Sequence, residues 1–401
     1  MKIKTKMKKQ LLFMAIAGFF TSIASAADLY VRDLGAGGSY STISAAITAA
    51  NDGDRIIIRP KAANLPYIEN LTIDKSVTLV SEINFSKYVL QGTITISPLA
   101  GRVVTLHNVS SNFALSVSAA TTGGRTILNV YNSLFNSVTA DKTNTSLNMS
   151  GCTIAGTVAL SHGRCTANNL QQFAVNGTAL ESNPATEDIE IIANLITSGG
   201  GGIIVNERNY AFRLLNNYLP SGNISINLAK NNSSNEIRNN VINYGTYSAL
   251  YIDVATGTTA TFMVLNNELA TSTTLTNYAE VHNNNTATAT VYAYNNISSS
   301  AFTTIGTIAA SGNISSASLA FNSTTNMVIG TAITNGGVID DEYADIDLTR
   351  NDIGNYGGSD SWANYWPTTV GNKPQVNYLN TPRRIYTGTT EMNANGSGYS
   401  K

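Results

Sequence analysis

Charge is what this chain has least of. Only 12% of its 401 residues are Asp, Glu, Lys or Arg, about half the share of an average soluble domain. Beyond residue 26, clusters of Lys and Arg able to neutralise phosphate are missing, which argues against nucleic acid as a partner. Eight prolines, three histidines, two tryptophans and two cysteines complete the shortages. Two cysteines cannot build a disulfide-dense scaffold. The spacing of Cys152 and Cys165 fits neither a metal motif nor C-x-x-C, and one bridge between them stays open as a candidate disulfide. Beyond residue 26 there is no stretch of 18 apolar residues, so no transmembrane segment is expected in the mature chain.

What replaces charge is amide and hydroxyl. Asn occurs 48 times and Gly 32 times, with Ser and Thr throughout. Asn, Ser, Thr and Gly are poor residues for helix interiors, which argues against a helical bundle. A hydrophobic share of 43% with a net charge of only −1 argues against disorder. An elongated all-β protein is the reading left.

The first ten residues hold five lysines (Lys2, Lys4, Lys6, Lys8, Lys9), then an apolar run from Leu11 to Phe20 and the small-residue pattern Ala24-Ser25-Ala26. This reads as a secretory signal peptide over residues 1–26, with an apolar core too short to span a bilayer. A secreted or cell-surface location is therefore expected. Removal leaves 19 Lys and Arg against 25 Asp and Glu, a net charge of −6.

Self-comparison is the most informative reading. Short apolar segments run repeatedly into Asn: ILNVYNSLF from Ile127, FRLLNNYL from Phe212, EIRNNVI from Glu236, FMVLNNEL from Phe262 and VYAYNNI from Val291. Aligned turn positions fall at Asn108, Asn132, Gly151, Asn169, Asn194, Asn217, Asn240, Asn267, Asn296 and Asn313, a mean period near 23 residues with intervals from 17 to 29. Such a period allows leucine-rich repeats or a parallel β-helix. The sustained L-x-x-L-x-L-x-x-N pattern and helix-forming stretches are missing, so each repeat reads as a coil of two or three short strands. Asn suits the turns because it tolerates left-handed backbone and can stack as a side-chain ladder. The prediction is an all-β, right-handed parallel β-helix of about 10–12 coils, roughly 45–50 Å long for the aligned turns, with a short N-terminal capping helix.

The boundaries expected are a signal peptide at 1–26, an N-terminal cap and first strand at 27–60, the β-helix at 61–337, an acidic and aromatic C-terminal cap at 338–367, and a tail at 368–401. Ser41-Thr42 before ISAAITAA predicts the capping helix, with Ile43, Ala46, Ile47 and Ala50 on its apolar face.

The pattern G-x-Y-x-T-I-x-x-A-I-x-A-A-x-x-G-D from Gly38 to Asp54, followed by Y-x-E-N-L-x-I from Tyr67, resembles the opening of right-handed β-helix proteins of the pectin-lyase-like superfamily. The segment D-x-D-x-x-R-N-D-I-G-x-Y-G-G from Asp345 to Gly358, with Trp362 and Trp366 after it, resembles the closing segment of secreted β-helix proteins of Bacteroidetes type. One scaffold hosts many activities, so the resemblance implies fold more than function.

The charged clusters that enzymes on this scaffold carry are sparse. Of the polygalacturonase-like set, Ser161-His162-Gly163-Arg164 echoes one element alone, and His162 reads as a solvated or ladder-capping histidine. Glu187, Asp188 and Glu190, with Arg208, Arg213 and Arg238 in later coils, are the material for a lyase acting on acidic polysaccharide, the alternative reading. Gln171 and Gln172 lack the neighbouring Asp residues of methylesterase-like chemistry. No catalytic residue is assigned. Asp345, Asp347 and Asp352 are candidate ligands for a structural Ca²⁺, set against a cap whose Asp side chains bond turn amides; no other cofactor is implied. Tyr244, Tyr247, Tyr251, Tyr292 and Tyr294 are candidate sugar-stacking residues. The expected role is binding of a polysaccharide or other surface polymer, with self-assembly into fibres as a third reading.

Overall fold

The computed structural model describes residues 26–182, 184–197, 201–244, 247–255, 257–271, 277–285, 289–299, 301–315, 320–322, 327–329, 333–366, 374–380, 391 and 395–400. The expected signal peptide lies outside them except for Ala26.

Alternation of apolar and polar residues, as in Thr126–Tyr131 (TILNVY, with every second residue buried), puts one edge of each strand inward. Stacked in register, these strands form a parallel β-solenoid of about 11 turns, an architecture that fits a right-handed parallel β-helix. Three parallel sheets run its length, of 13, 11 and 11 strands. A typical coil starts with a long strand of the first sheet (Val103–His107), bends at Asn108, continues into a two-residue strand of the third sheet (Val109–Ser110) and closes with a strand of the second (Ala114–Val117). The core is a column of matched residues such as Leu128, Leu147, then Val130, Met149, Cys165, Ile191, Leu214, Ile237, Val264 and Ala293. All are buried.

Helix α1 (Ile43–Ala49) starts at Thr42, whose hydroxyl accepts from the Ala45 amide. Glu69, from the Y-x-E-N-L segment, accepts from the Ile43 and Ser44 amides at 2.8 and 2.9 Å. Ile43, Ala46 and Ile47 are buried in the core cluster, as their spacing predicts. The cap region also supplies a strand that the sequence did not announce. Asp28–Val31 pairs with Arg55–Ile58, so the region 27–60 holds two strands of the first sheet.

At the other end, parallel pairing among the described residues stops at Ala309–Ser311 and a bridge from Ile297 to Ile314, short of the expected 337. Residues 333–366 do not sit as a plug on that end. They run back along the side of the rod: the side chain of Asn295 bonds the carbonyls of Gly336 and Gly337, and Asn239 bonds those of Asp352 and Gly354. Asn216 bonds Asn355 and Gly357, and the Trp366 indole bonds the Ala193 carbonyl at 2.6 Å. The short helix α2 (Trp362–Tyr365) buries Trp362 edge-on to Tyr218. In the tail, Pro374–Asn380 pairs antiparallel with Asn395–Ser400. None of the described helices is long and apolar enough to cross a membrane.

Candidate functional site

The bend between the first and third sheets uses two adjacent columns of residues. The first is left-handed: Asn108, Asn132, Gly151, Ala167, Ala193, Asn216, Asn239, Asn266, Asn295 and Gly312 all have φ between 44° and 67°. The second is a ladder in which Asn168, Asn194, Asn217, Asn240, Asn267, Asn296 and Asn313 stack. Each rung's Oδ1 accepts both the backbone and the side-chain amide of the rung before, at 2.9–3.1 Å. The turn alignment read from sequence mixed the two columns. Its first three positions belong to the left-handed set, its last six to the ladder, and Asn169 to neither, being the start of a strand.

Cys152 occupies the ladder position one rung before Asn168, whose Oδ1 accepts from its amide. Cys165 faces the core between Met149 and Ile191. Both thiols are free and buried, so the candidate disulfide is not formed. Burial pushes the Cys152 thiol up to about 12, which makes it inert.

Counted back from the left-handed column, the outward residues of the first sheet fall into register. Three positions before the bend stand Asn129, Asn148, Arg164, Glu190, Arg213, Glu236, Met263 and Tyr292. Arg164 meets Glu190 at 3.0 Å, Glu190 meets Arg213 at 3.0 Å, and Arg213 meets Glu236 at 3.0 Å. Glu236 then meets Arg238 at 2.6 Å, and Arg238 meets Asp360 of the flanking segment at 3.5 Å. Burial alone would raise the Glu236 carboxyl, but Arg238 and Arg213 outweigh it and hold it below the usual carboxylate range. Arg213 and Arg238, the arginines of the lyase reading, are thus each held by carboxylates, and Arg238 is fully buried. Asp188 lines the same cleft as Arg164 and Glu190 rather than pairing with Arg213 or Arg238, and Arg208 is exposed.

Where the flanking segment ends, the outer face of the first sheet opens into a cleft of about 410 Å³. Its floor carries Tyr131, Ser146, Asn148 and Arg164, and one wall carries Ala185, Glu187 and Asp188. A buried network holds that wall. Arg125 pairs with Glu181 and Tyr210, the Tyr210 hydroxyl accepts from the Ala185 amide at 3.1 Å, and Asn209 accepts from the Glu181 amide at 2.9 Å. Arg125 and Arg164 stand against Glu181, Glu187, Asp188 and Glu190, so the cleft and its wall are net negative.

His162 is in this cleft, correcting the reading of it as solvated or ladder-capping. It is 6% exposed, its Nδ1 lies 2.7 Å from the Ser146 hydroxyl, and its Nε2 lies 3.1 Å from the Glu187 carbonyl. Its ring packs 4.4 Å from that of Tyr210. Burial, with Arg125 nearby, lowers its affinity for a proton. Sequence reasoning missed Ser146, Arg125, Tyr131 and Asn148 altogether. The usable signal was register: Ile127, Ser146 and His162 each stand five residues before a left-handed bend.

The other candidates are dispersed. Tyr251 is on the second sheet, where its ring meets His282 edge-on at 5.1 Å. Tyr247 is half-exposed beside Tyr278, at 5.2 Å. Tyr292 and Tyr294 are on the first sheet, 5.9 Å apart; the backbone of Tyr244 is on the third. Tyr247, Tyr251 and the Tyr292–Tyr294 pair do not form one stacking surface.

Asp345, Asp347 and Asp352 also serve separate turns. Asp345 accepts from the Asp352 and Gly358 amides, Asp347 from the Thr349 amide and hydroxyl, and Asp352 from the Asn335 amide. Among the described residues no three His, Cys, Asp or Glu side chains come together in a way that could hold a metal ion. Comparison with protein-family models, curated proteins and solved structures returns no match.

Proposed function

We propose that this chain is a secreted or cell-surface solenoid of the pectin-lyase-like type that binds a polysaccharide, with the cleft on the first sheet as its binding site. The observation that carries this reading is the cleft itself. It combines an aromatic ring (Tyr131, packed at a tilt against His107 with ring centres 4.9 Å apart) with an amide (Asn148) and charged groups at the wall. Rings suit the apolar faces of sugars, and fixed amides suit their hydroxyls. Its net negative charge favours a neutral or amino-sugar polymer over an acidic one. That sets it apart from a lyase on acidic glycans, whose arginines are here locked in ion pairs.

The test is affinity electrophoresis against neutral, acidic and amino polysaccharides, with a parallel assay for released products. Retardation by a neutral or amino polymer, lost in Tyr131→Ala and Asn148→Ala, is the expected result. Folded protein that no polymer retards, or retardation unchanged in both variants, would overturn the reading.

A further inference from the structure

We propose that Ser146 and His162 form a nucleophile–base pair that hydrolyses an ester, an acyl group carried by a neutral sugar held in the cleft. The substrate class rests on the binding reading above; the pair itself rests on geometry.

A carbonyl oxygen can only accept, so the His162 nitrogen facing the Glu187 carbonyl, Nε2, is the one that carries the proton. Nδ1 is then a lone-pair acceptor, 2.7 Å from the Ser146 hydroxyl. A serine bonded to a base, and the base oriented by a third group, is the arrangement that activates a hydroxyl nucleophile. The ring is kept in place by Tyr210 and by burial, and both partners line an open cleft rather than a closed core. Around the ring stand Arg125 from the strand Thr126–Tyr131 side, Glu181 and Glu187 from the wall, and Tyr210. Arg125 donates to the carbonyl of Thr145, next to the nucleophile, at 3.1 Å. Paired also with Glu181, it steadies the strand that carries Ser146.

In the first half-reaction Ser146 Oγ bonds to the ester carbonyl carbon while His162 Nδ1 takes its proton. Collapse of the tetrahedral intermediate breaks the ester C–O bond, and the sugar hydroxyl leaves with that proton. Water then attacks the acyl-serine, giving a proton to His162. His162 returns it to Ser146 as the free acid departs. Ester and water are consumed; acid and alcohol are formed. The net negative charge of the cleft and its wall repels the ionised acid product.

Two probes need no polysaccharide: a fluorophosphonate, which reacts with activated serines, and p-nitrophenyl acetate. The full chain should take up one equivalent of fluorophosphonate, mapped by peptide mass spectrometry to Ser146. Its p-nitrophenyl acetate turnover should fall at least about 100-fold in Ser146→Ala and in His162→Asn. The acid limb of the rate should lie below the ordinary histidine value of 6.5, because His162 is held neutral. Folded wild-type protein left unlabelled at Ser146, or turnover that survives Ser146→Ala, would overturn the proposal. Mapping on the wild type decides even where a variant fails to fold. Labelling without glycan retention would sink the binding reading alone, and retention without labelling would sink the dyad alone.

Discussion

A left-handed backbone residue that bears a Cβ costs roughly 1–2 kcal/mol, a cost that Gly escapes and Asn eases with its short polar side chain. Two of the bends along this flank are Ala167 and Ala193. Ala193 is sealed under the flanking segment, but Ala167 is partly open, so an Asn fits there. Ala167→Asn is expected to stabilise the fold by about 0.5–1 kcal/mol, read as a higher urea midpoint with unchanged slope; a lower midpoint would show that the bend is not strained. The neighbouring ladder carries the opposite expectation. The Asn240 side chain accepts two bonds from Asn217 and donates to Asn267, Leu214 and Arg238, all out of contact with water. Asn240→Ala leaves several buried groups unpaired at about 1–3 kcal/mol each. A loss of about 3 kcal/mol or more in urea unfolding is expected, and a loss under about 1 kcal/mol would show that the ladder is decorative.

Residues 333–366 pack against the solenoid from the side. Glu268, in the strand Glu268–Thr271, is buried there, with Gly354 of the flanking segment packed close to its carboxylate. Its Oε2 has no hydrogen-bond partner among the described residues, and burial pushes its pKa up to about 8 from the ordinary 4.5. The unfolded chain ionises near 4.5 and the folded one near 8. Stability from this group is therefore intact below 4.5 and is lost as pH rises through that window. Glu268→Gln should leave the melting temperature at pH 4 unchanged and raise it at pH 9; equal effects at both would mean that Glu268 does not titrate in the fold. The strands, the helix α1 and the repeat were legible in the sequence because alternation, a Thr N-cap and recurring Asn all act locally. The cleft was not, for a reason of register. Aligning Gly151 with Asn194 instead of Ala193 shifts a coil by one residue, and in a strand that exchanges inward for outward positions. Asn148 then faces Ile191 rather than Glu190, and the line from Arg164 to Glu236 dissolves. The path of the flanking segment was beyond reach for another reason: its bonds to Asn216, Asn239 and Asn295 span more than 40 to about 140 residues of sequence.

At the scale of the whole rod each coil touches only its neighbours, so stability is a sum of local interfaces and varies along the axis. Three devices cross several coils, and along the solenoid all act between Arg164 and Asn313: the asparagine ladder, the charged line ending at Asp360, and the flanking segment bonded from Asn295 back to Ala193. The coils at Phe212–Leu215 and Ser233–Arg238 have all three, and the coil at Ala260–Leu265 has the ladder and the flanking segment. The last parallel strand among the described residues, Ala309–Ser311, is exposed throughout. Hydrogen exchange followed by mass spectrometry should therefore find the slowest amides in those three central strands and the fastest solenoid amides in Ala309–Ser311. Asn239→Ala removes four side-chain bonds with the flanking segment, two with Asn351 and one each with Asp352 and Gly354. It should speed exchange in residues 333–366 first, and in the three central strands next, while leaving Asp28–Val31 and Arg55–Ile58 unchanged. Uniform acceleration along the whole rod would mean that the coils unfold as one unit and that the side-lying segment is not a local brace.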